Sequence, residues 1–460
     1  MAVFKSQGAS LHVESATKDT KELDDYTVEN TSLDLDAISQ SYSGLMKIKR
    51  LIHIAKHCPM LALDATHYAV EEVKSTFNIA AFQDICNIRH HLTKDPKDSS
   101  TCPEAISWIE DRKRQSSLIL ETLDKDLKSF RSHSIKESIR RGYDDLGDHY
   151  LKCGDLTNAF KCYSRAKDYC LSDKHFYGLY LNIIVVSVFV GNWSTVINYY
   201  NKADSYGIIS NKQLAKQADM LKIKSRLLAA VGLAEMCLER YKNAARYFLQ
   251  LSVDAFDFPE ILSAHDVAIY AGLCALATYD RPDLNNKVIS SNTFKEFLEL
   301  EPTLRNAICQ FYDSKYTACL GSLRSIQGDL LLDPFLAPHV TRLLGEIRRR
   351  ALVQYFTPYS SVDMNKMAES FESTIGELED EISSLILEGK IQGRIDANAK
   401  ILYSRSVDPR MLSFKHVLEA GRAYNQQTAY LLLRANMMKQ KVSVGHAQFG
   451  TAYEQEAEYL

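Results

Sequence analysis

A chain of 460 residues is long enough for two or three domains with ample core. Its formal net charge is -3, so no bulk basicity points to nucleic acid or to an acidic membrane surface. The ten cysteines form no C-x-x-C pair, which favours reduced, buried thiols in the cytosol or nucleus over a disulfide frame.

Residues 1–30 are polar, without a sustained period and without the apolar core of a signal peptide, and read as a disordered tail. Order is expected from about Leu33, where Leu35, Ile38, Tyr42 and Leu45 recur at helical spacing. Helices follow at residues 44–57, 61–77 and 82–92, and Pro96 with paired serines marks a loop at 93–100. Pro103 opens a long helix with a narrow seam (Ile106, Ile109, Leu120, Leu123, Leu127, Phe130). It reads as a connecting rod rather than a partner-binding coiled coil, because the seam is short.

The stretch from Gly142 to Ala166 organises what comes next. Tyr143, Leu146, Gly147 and Tyr150 stand at the spacing of the first helix of a tetratricopeptide repeat, and Ala159, Tyr163 and Ala166 at that of the second. Gly147 and Ala159 are small where two antiparallel helices approach, while Gly154-Asp155 supplies a left-handed turn and a cap. The pattern recurs at Gly191-Asn192-Trp193 with Val196, Tyr200 and Ala203, and at Glu239-Arg240-Tyr241 with Ala244, Phe248 and Leu251. The separations are 37 and 48 residues, which indicates irregular repeats whose exposed faces need neighbouring hairpins. The apolar run 179–190 is too short to cross a bilayer and reads as a buried repeat helix.

Short helices continue at 266–277, 294–298, 304–312, 316–326 and 338–350. Near Arg350 the pattern changes: a helix at 347–356, an N-cap signal at Ser361-Val362-Asp363, helices at 364–371 and 375–387, then a hairpin turning at Ala397-Asn398-Ala399. That order is a winged helix. A last long helix, 411 to about 441, places Phe414, Val417, Leu418, Tyr424, Leu431, Leu432, Ala435 and Met438 along one side.

A winged helix first suggests DNA, but the helix from Ile375 to Glu388 carries Glu377, Glu379, Asp380, Glu381 and Glu388 and no cation. Its carboxylates would face phosphates with no counterion to release, so protein docking is favoured. His53, His57 and Cys58, and separately Cys86, His90 and His91, have ligand-like spacing but no second pair to complete a zinc set. No phosphate loop, H-E-x-x-H or nucleophile elbow occurs, and Asp124/Asp126 and Asp144-Asp145 read as solvated helix faces. Arg348-Arg349-Arg350 could be a basic docking patch, though cations in a last helical turn more commonly complement the dipole.

A helical-repeat array followed by a winged helix is the PCI architecture. Residues 135–170, 266–281, 294–305, 311–323, 348–371 and 389–405 closely resemble the PCI scaffold subunits of the COP-nine signalosome. The likeness runs from about Leu33 to about Met438. It implies a mainly α fold: a tail at 1–30, TPR-like repeats at 31–264, a PCI helical part at 265–346, a winged helix at 347–408, a bundle helix at 409–441 and a tail at 442–460. It also implies a non-catalytic scaffold in the nucleus and cytoplasm that supports removal of the modifier Nedd from cullins. The isopeptidase would be a separate metalloprotease subunit, the partners other PCI subunits, and cullin-RING ligases indirect clients. No cofactor, metal, nucleic acid or membrane is implied. Carried onto this chain, winged-helix contacts involve Ile391, Gly393, Ile395, Ile401 and Tyr403, through an unpaired strand edge, and bundle contacts Leu418, Tyr424, Leu431, Leu432 and Met438. The nearest alternative is the matching PCI subunit of the proteasome lid; from another class, a winged-helix nucleic-acid-binding protein.

Overall fold

The computed structural model describes residues 26–29, 31–93, 103–205, 218–405 and 409–441. The chain forms two units: one runs to Pro358 and includes Lys366–Glu381, the other comprises Tyr359–Asn365 and the residues from Ile382 onward. The first is a helical array. It begins with α1 (Leu35–Ser41), α2 (Gly44–His57), α3 (Ala62–Ser75), α4 (Ile79–Thr93) and the long α5 (Pro103–His133). Hairpins follow as α6 (Lys136–Cys153) with α7 (Leu156–Ala166), α8 (Asp173–Val190) with α9 (Trp193–Ser205), and α10 (Ala218–Cys237) with α11 (Tyr241–Phe248). Then come α12 (Ala264–Thr278), α13 (Arg281–Leu284) leading into a π-helical turn, α14 (Asn292–Leu300), α15 (Pro302–Tyr312), α16 (Tyr316–Leu331) and α17 (Ala337–Phe356).

The hairpins share one corner. Gly154 and Gly191 adopt φ of 82° and 80°, and Glu239 and Ser314 take the same left-handed turn at 62° and 64°. At each, the next N–H reaches back five residues: Asp155 to Tyr150 O at 2.9 Å, Asn192 to Ser187 O at 2.9 Å, Arg240 to Glu235 O at 2.9 Å, Lys315 to Gln310 O at 2.8 Å. This closes the carbonyls left open at a helix C-terminus. The α15–α16 hairpin is thus a further copy, hidden in the sequence because Ser314 stands where glycine is usual.

Inside the hairpins, a Cβ on Gly147 would lie 2.6 Å from the Tyr163 ring, and one on Gly232 would lie 2.8 Å from the Phe248 ring. The small residue exists to admit the aromatic one. The run 179–190 is a helix interior, as expected: Ile183, Ile184, Val186 and Val188 are buried in α8. Among the described residues no helix is long and apolar enough to cross a membrane. The α5 seam is used internally, for Leu127 is buried with Ile139 and Tyr143 of α6.

Three expectations need correction in this unit. The tail does not extend to Asn30, since Val28 is buried and its N–H donates to His57 O at 2.8 Å. The Tyr26 ring stacks on His57, and its hydroxyl donates to Leu331 O at 2.9 Å. Second, the helices at 338–350 and 347–356 are one helix, α17, so the 346/347 boundary falls in its interior. Third, Arg348 and Arg350 are neither a docking patch nor in a last turn. Arg350 reaches Tyr279 O and Asp280, and Arg348 is paired as described below. The expected loop at 93–100 lies, apart from Thr93, outside the described residues, as does the expected tail at 442–460.

The same N-terminal stretch closes onto distant helices. Arg50, 6 % exposed, donates from Nη2 to Asp266 at 2.8 Å and pairs through Nη1 with Asp333 at 3.3 Å. Tyr42 donates to Asp266 at 2.7 Å, Tyr270 donates to Asp333, and the Tyr42 ring lies 4.2 Å from the guanidinium. Asp266 also completes a capping box with Ser263 at the start of α12, a helix buried on nearly all sides. Burial raises the Asp266 pKa, and the Arg50 charge and Tyr42 hydroxyl oppose that rise. Buried charges survive only when paired this completely. Beside this network, Thr31 and Ser32 donate to Asp329 at 2.7 Å, and the Ser43 N–H donates to Pro259 O at 3.0 Å.

Gly147→Ala is expected to lower stability by about 1–3 kcal/mol through overpacking against Tyr163, whereas Gly345→Ala, with open space around its Cβ, is neutral or slightly stabilising in thermal unfolding. His53 is held neutral by burial and by His57, its pKa lowered to about 4. A lowered histidine pKa means that the unfolded chain binds the proton first. Stability is therefore complete above pH 6.5 and lost as pH falls toward 4, by on the order of 2–3 kcal/mol. Urea unfolding between pH 7 and 4.5 should show this slope, and His53→Gln should flatten it.

Candidate docking site

The first helices of the winged helix are α18 (Met364–Phe371) and α19 (Ile375–Leu387). Their portion within Lys366–Glu381 belongs to the helical array. Arg348 Nε donates to both carboxylate oxygens of Glu381 at 3.0 Å, and an Nη donates to Phe371 O at 3.2 Å. One Nε–H shared by both carboxylate oxygens, with the Nη bond to a backbone carbonyl beside it, makes this a directional, charge-assisted joint. Around it Tyr316 stacks on Phe371 at 5.8 Å, Tyr355 meets the same ring edge-on at 5.6 Å, and Arg324 pairs with Glu372 at 2.6 Å. One carboxylate of the acidic α19 thus ties it to α17, while Thr374 and Glu377 bond reciprocally at its N-terminus. The acids have structural partners, and the helix presents no cation for a phosphate.

The second unit carries a three-stranded antiparallel sheet in the order β1-β3-β2: β1 (Ser361–Asp363), β2 (Gly393–Asp396) and β3 (Ile401–Ser404). The triplet Ser361-Val362-Asp363 is therefore a strand as well as a cap. Val362 pairs with Leu402, and Asp363 accepts from the Asn365 N–H at 2.9 Å. The β-branched, alternating Ser-Val-Asp buries its middle residue, and that signal was present but outweighed by the capping residues flanking it. At the hairpin tip Asp396 accepts from the Asn398 and Ala399 N–H groups, and Lys400 adopts φ of 53°.

This topology sorts the residues singled out in the sequence. Ile401 and Tyr403 lie on the central strand, paired on both sides, so their backbone is not an open edge. Tyr403 still offers its side chain, 43 % exposed, and Ile401 is half-buried. Ile391 is 3 % exposed and serves the core of the module instead of a surface. The Arg405 N–H donates to Gln392 O at 2.9 Å, which sets the antiparallel alternation along β2. Gly393 and Ile395 consequently turn their N–H and C=O groups outward, along an edge that no other described strand covers. An unpaired edge of this kind is a template for strand addition.

The last helix, α20 (Pro409–Lys439), is solvent-exposed along its described length except at Thr428 and Met437. Leu418, Tyr424, Leu431, Leu432 and Met438 are all exposed, Leu431 at 65 %. At about 100° per residue these five fall within roughly 160° of the helix circumference, and Tyr430 and Leu433, also exposed, widen the apolar surface near its C-terminal end. A broad apolar face left in solvent suits a helix that packs within a bundle.

Other sequence candidates fall elsewhere. His53 and His57 engage Tyr26 and Leu331 through their ring nitrogens, and Cys58 is buried. His90 and His91 are exposed, and Cys86 is half-buried. Asp144 is not a solvated carboxylate, for burial raises its pKa to about 6 against the pull of Arg140.

Residues 106–287 match the family described as 26S proteasome subunit RPN7, and residues 323–406 match the PCI domain. The chain is 42 % identical to COP9 signalosome complex subunit 1b of Drosophila melanogaster, covering 91 % of this chain and 87 % of that protein. It is 39 % identical to COP9 signalosome complex subunit 1 of Arabidopsis thaliana, over 90 % and 91 % of the two chains. Similarity to 26S proteasome non-ATPase regulatory subunit 6 of Caenorhabditis elegans is 27 %, over 62 % and 69 %.

Core and docking residues should separate cleanly on substitution. Leu402→Ala, at a fully buried position, is expected to cost about 2–5 kcal/mol, and Leu431→Glu less than about 0.5 kcal/mol, in denaturant unfolding of the free chain.

Proposed function

Because the chain belongs to the COP9 signalosome subunit 1 family of PCI proteins, we propose that it is a non-catalytic scaffold of that complex. The observation that carries this reading is α20, a helix of 31 residues whose broad apolar face stands in solvent. Holding so much apolar surface in water is unfavourable, and helices of sister subunits would cover it. The outward groups of Gly393 and Ile395 supply a second contact, by strand addition to a neighbouring PCI sheet. Chemistry then resides in a metalloprotease-containing partner subunit, and this chain supports removal of Nedd from cullins by positioning that partner, in the nucleus and cytoplasm. The identity and coverage of the signalosome relatives favour this complex over the proteasome lid. The acid-rich α19 argues against a nucleic-acid role, because opposite charge would be needed at phosphates.

Co-expression with the other subunits tests the proposal. Leu431→Asp combined with Leu432→Asp is expected to reduce co-purification at least tenfold and to lower cullin deneddylation in parallel, while the free chain melts as before. Unchanged assembly, or deneddylation by the purified chain alone, would overturn it.

A further inference from the structure

Residues 26–29 and 31–34 form a strap of irregular backbone that leads into α1 and is fastened at two places. At the first, the Tyr26 hydroxyl donates to Leu331 O at 2.9 Å and the Val28 N–H to His57 O at 2.8 Å. At the second, the Asp329 carboxylate of α16 accepts from Thr31 Oγ1 at 2.7 Å, from the Ser32 N–H at 3.2 Å and from Ser32 Oγ at 2.7 Å. Val28 and Leu33 thereby pack against the apolar cluster of Ile48, Leu51 and Leu332. The proposed scaffold role makes no use of this strap.

The two hydroxyls are not equivalent. Thr31 is half-buried, and its Oγ1 also accepts from the Leu33 N–H at 3.1 Å. Ser32 is exposed, on backbone that is neither helix nor strand. Its sequence setting is one-sided: from Glu22 to Asp36 the chain carries Glu22, Asp24, Asp25, Glu29, Asp34 and Asp36 and no Lys, Arg or His. A hydroxyl among carboxylates suits a protein kinase whose substrate cleft is lined by cations, because charge complementarity selects it and rejects basic-directed kinases. The surroundings also fix what a phosphate would do. The concave surface that Ser32 borders is lined by Asp34, Asp266, Glu301, Asp329 and Asp333. Its cations are taken, Arg50 by Asp266 and Asp333 and His265 by Glu301.

We propose that Ser32 is a phosphorylation site for an acid-directed Ser/Thr kinase, and that its phosphate unfastens the strap from α16. Ser32 Oγ attacks the γ-phosphorus of ATP, the bond from that phosphorus to the β,γ-bridging oxygen breaks, and ADP leaves. The hydroxyl proton passes to the catalytic carboxylate of the kinase. The product ester carries a charge of about −1.5 to −2 and has lost the Oγ–H donor. An attraction across 2.7 Å to Asp329 becomes a repulsion between two anions. Phosphate placed beside carboxylates, with no free cation to receive it, loosens a segment rather than ordering it. The loosened strap lays open the apolar cluster against which Val28 and Leu33 pack.

The test has two arms, both on the purified full chain. In the first, a Ser/Thr kinase that selects acidic residues C-terminal to its acceptor is supplied with ATP, and fragmentation mass spectrometry locates the phosphate, which is expected on Ser32. In the second, phosphoserine is installed at position 32 by genetic encoding and amide hydrogen exchange is read at Val28. Exchange is expected to quicken about tenfold or more on phosphorylation. Ser32→Ala removes the donor without adding charge and should quicken it by less than about threefold. Asp329→Arg in the phosphorylated chain supplies a cation to the phosphate and should return exchange to within about threefold of the unmodified protein. Thermal melts of every form show that the array stays folded. Absence of phosphate on Ser32 in the first arm would overturn the assignment. So would exchange that phosphorylation leaves unchanged, that Ser32→Ala quickens equally, or that Asp329→Arg does not restore.

Discussion

Arg50 joins α2 to two carboxylates more than two hundred residues further along the chain, and the array depends on that union. An open solenoid makes only neighbour contacts, so its ends are free to fray. Here the first helices return to α12 and to the turn before α17, and charge does the joining. Desolvating a guanidinium and two carboxylates is expensive, and the arrangement is stable only because Tyr42, Tyr270 and Ser263 complete the shell. Such a network tolerates few alternatives, since any shifted register would leave a buried charge unpaired. Tyr26, Thr31 and Ser32 then extend the closure along Leu331 and Asp329.

The remainder of the array is built by repetition of one local solution. A left-handed residue turns the chain, a back-bonded N–H seals the helix end, and a small residue on one helix receives an aromatic ring from the next. Gly147 with Tyr163 and Gly232 with Phe248 are the same device 85 residues apart. Where Glu239 and Ser314 replace glycine at the corner, the backbone keeps the turn although a side chain disfavours it. The packing of the neighbouring helices therefore dictates the dihedral. At the far end, Arg348 and the rings around Phe371 pass this rigidity to the start of the winged helix. The second unit differs in kind: its sheet has a free edge and its final helix has no apolar face turned inward.

Much of this was legible in residue order. Helical period, the Gly147/Ala159/Tyr163 spacing and the Gly154-Asp155 corner are local properties, so they specify the hairpins without reference to anything distant. The acidic content of α19, which weighs against groove insertion, is likewise a property of residue order. The candidate docking module was legible only in part. Leu431 and Leu432 are solvent-facing apolar residues, but Ile391, equally apolar, is buried. Apolarity alone does not tell a core residue from a docking residue.

What residue order by itself determined, then, is which segments are helical, which faces are apolar and where hairpins turn, because those follow from interactions within a few residues. Tertiary structure alone decided the rest. The pairing of Arg50 with Asp266 and Asp333, the anchoring of Tyr26, and the recruitment of Ser361–Asp363 as a strand beside β3 each join groups far apart in the chain. No periodicity records such partners, since the free energy of burying a charge or a strand edge depends on what the folded chain brings to it.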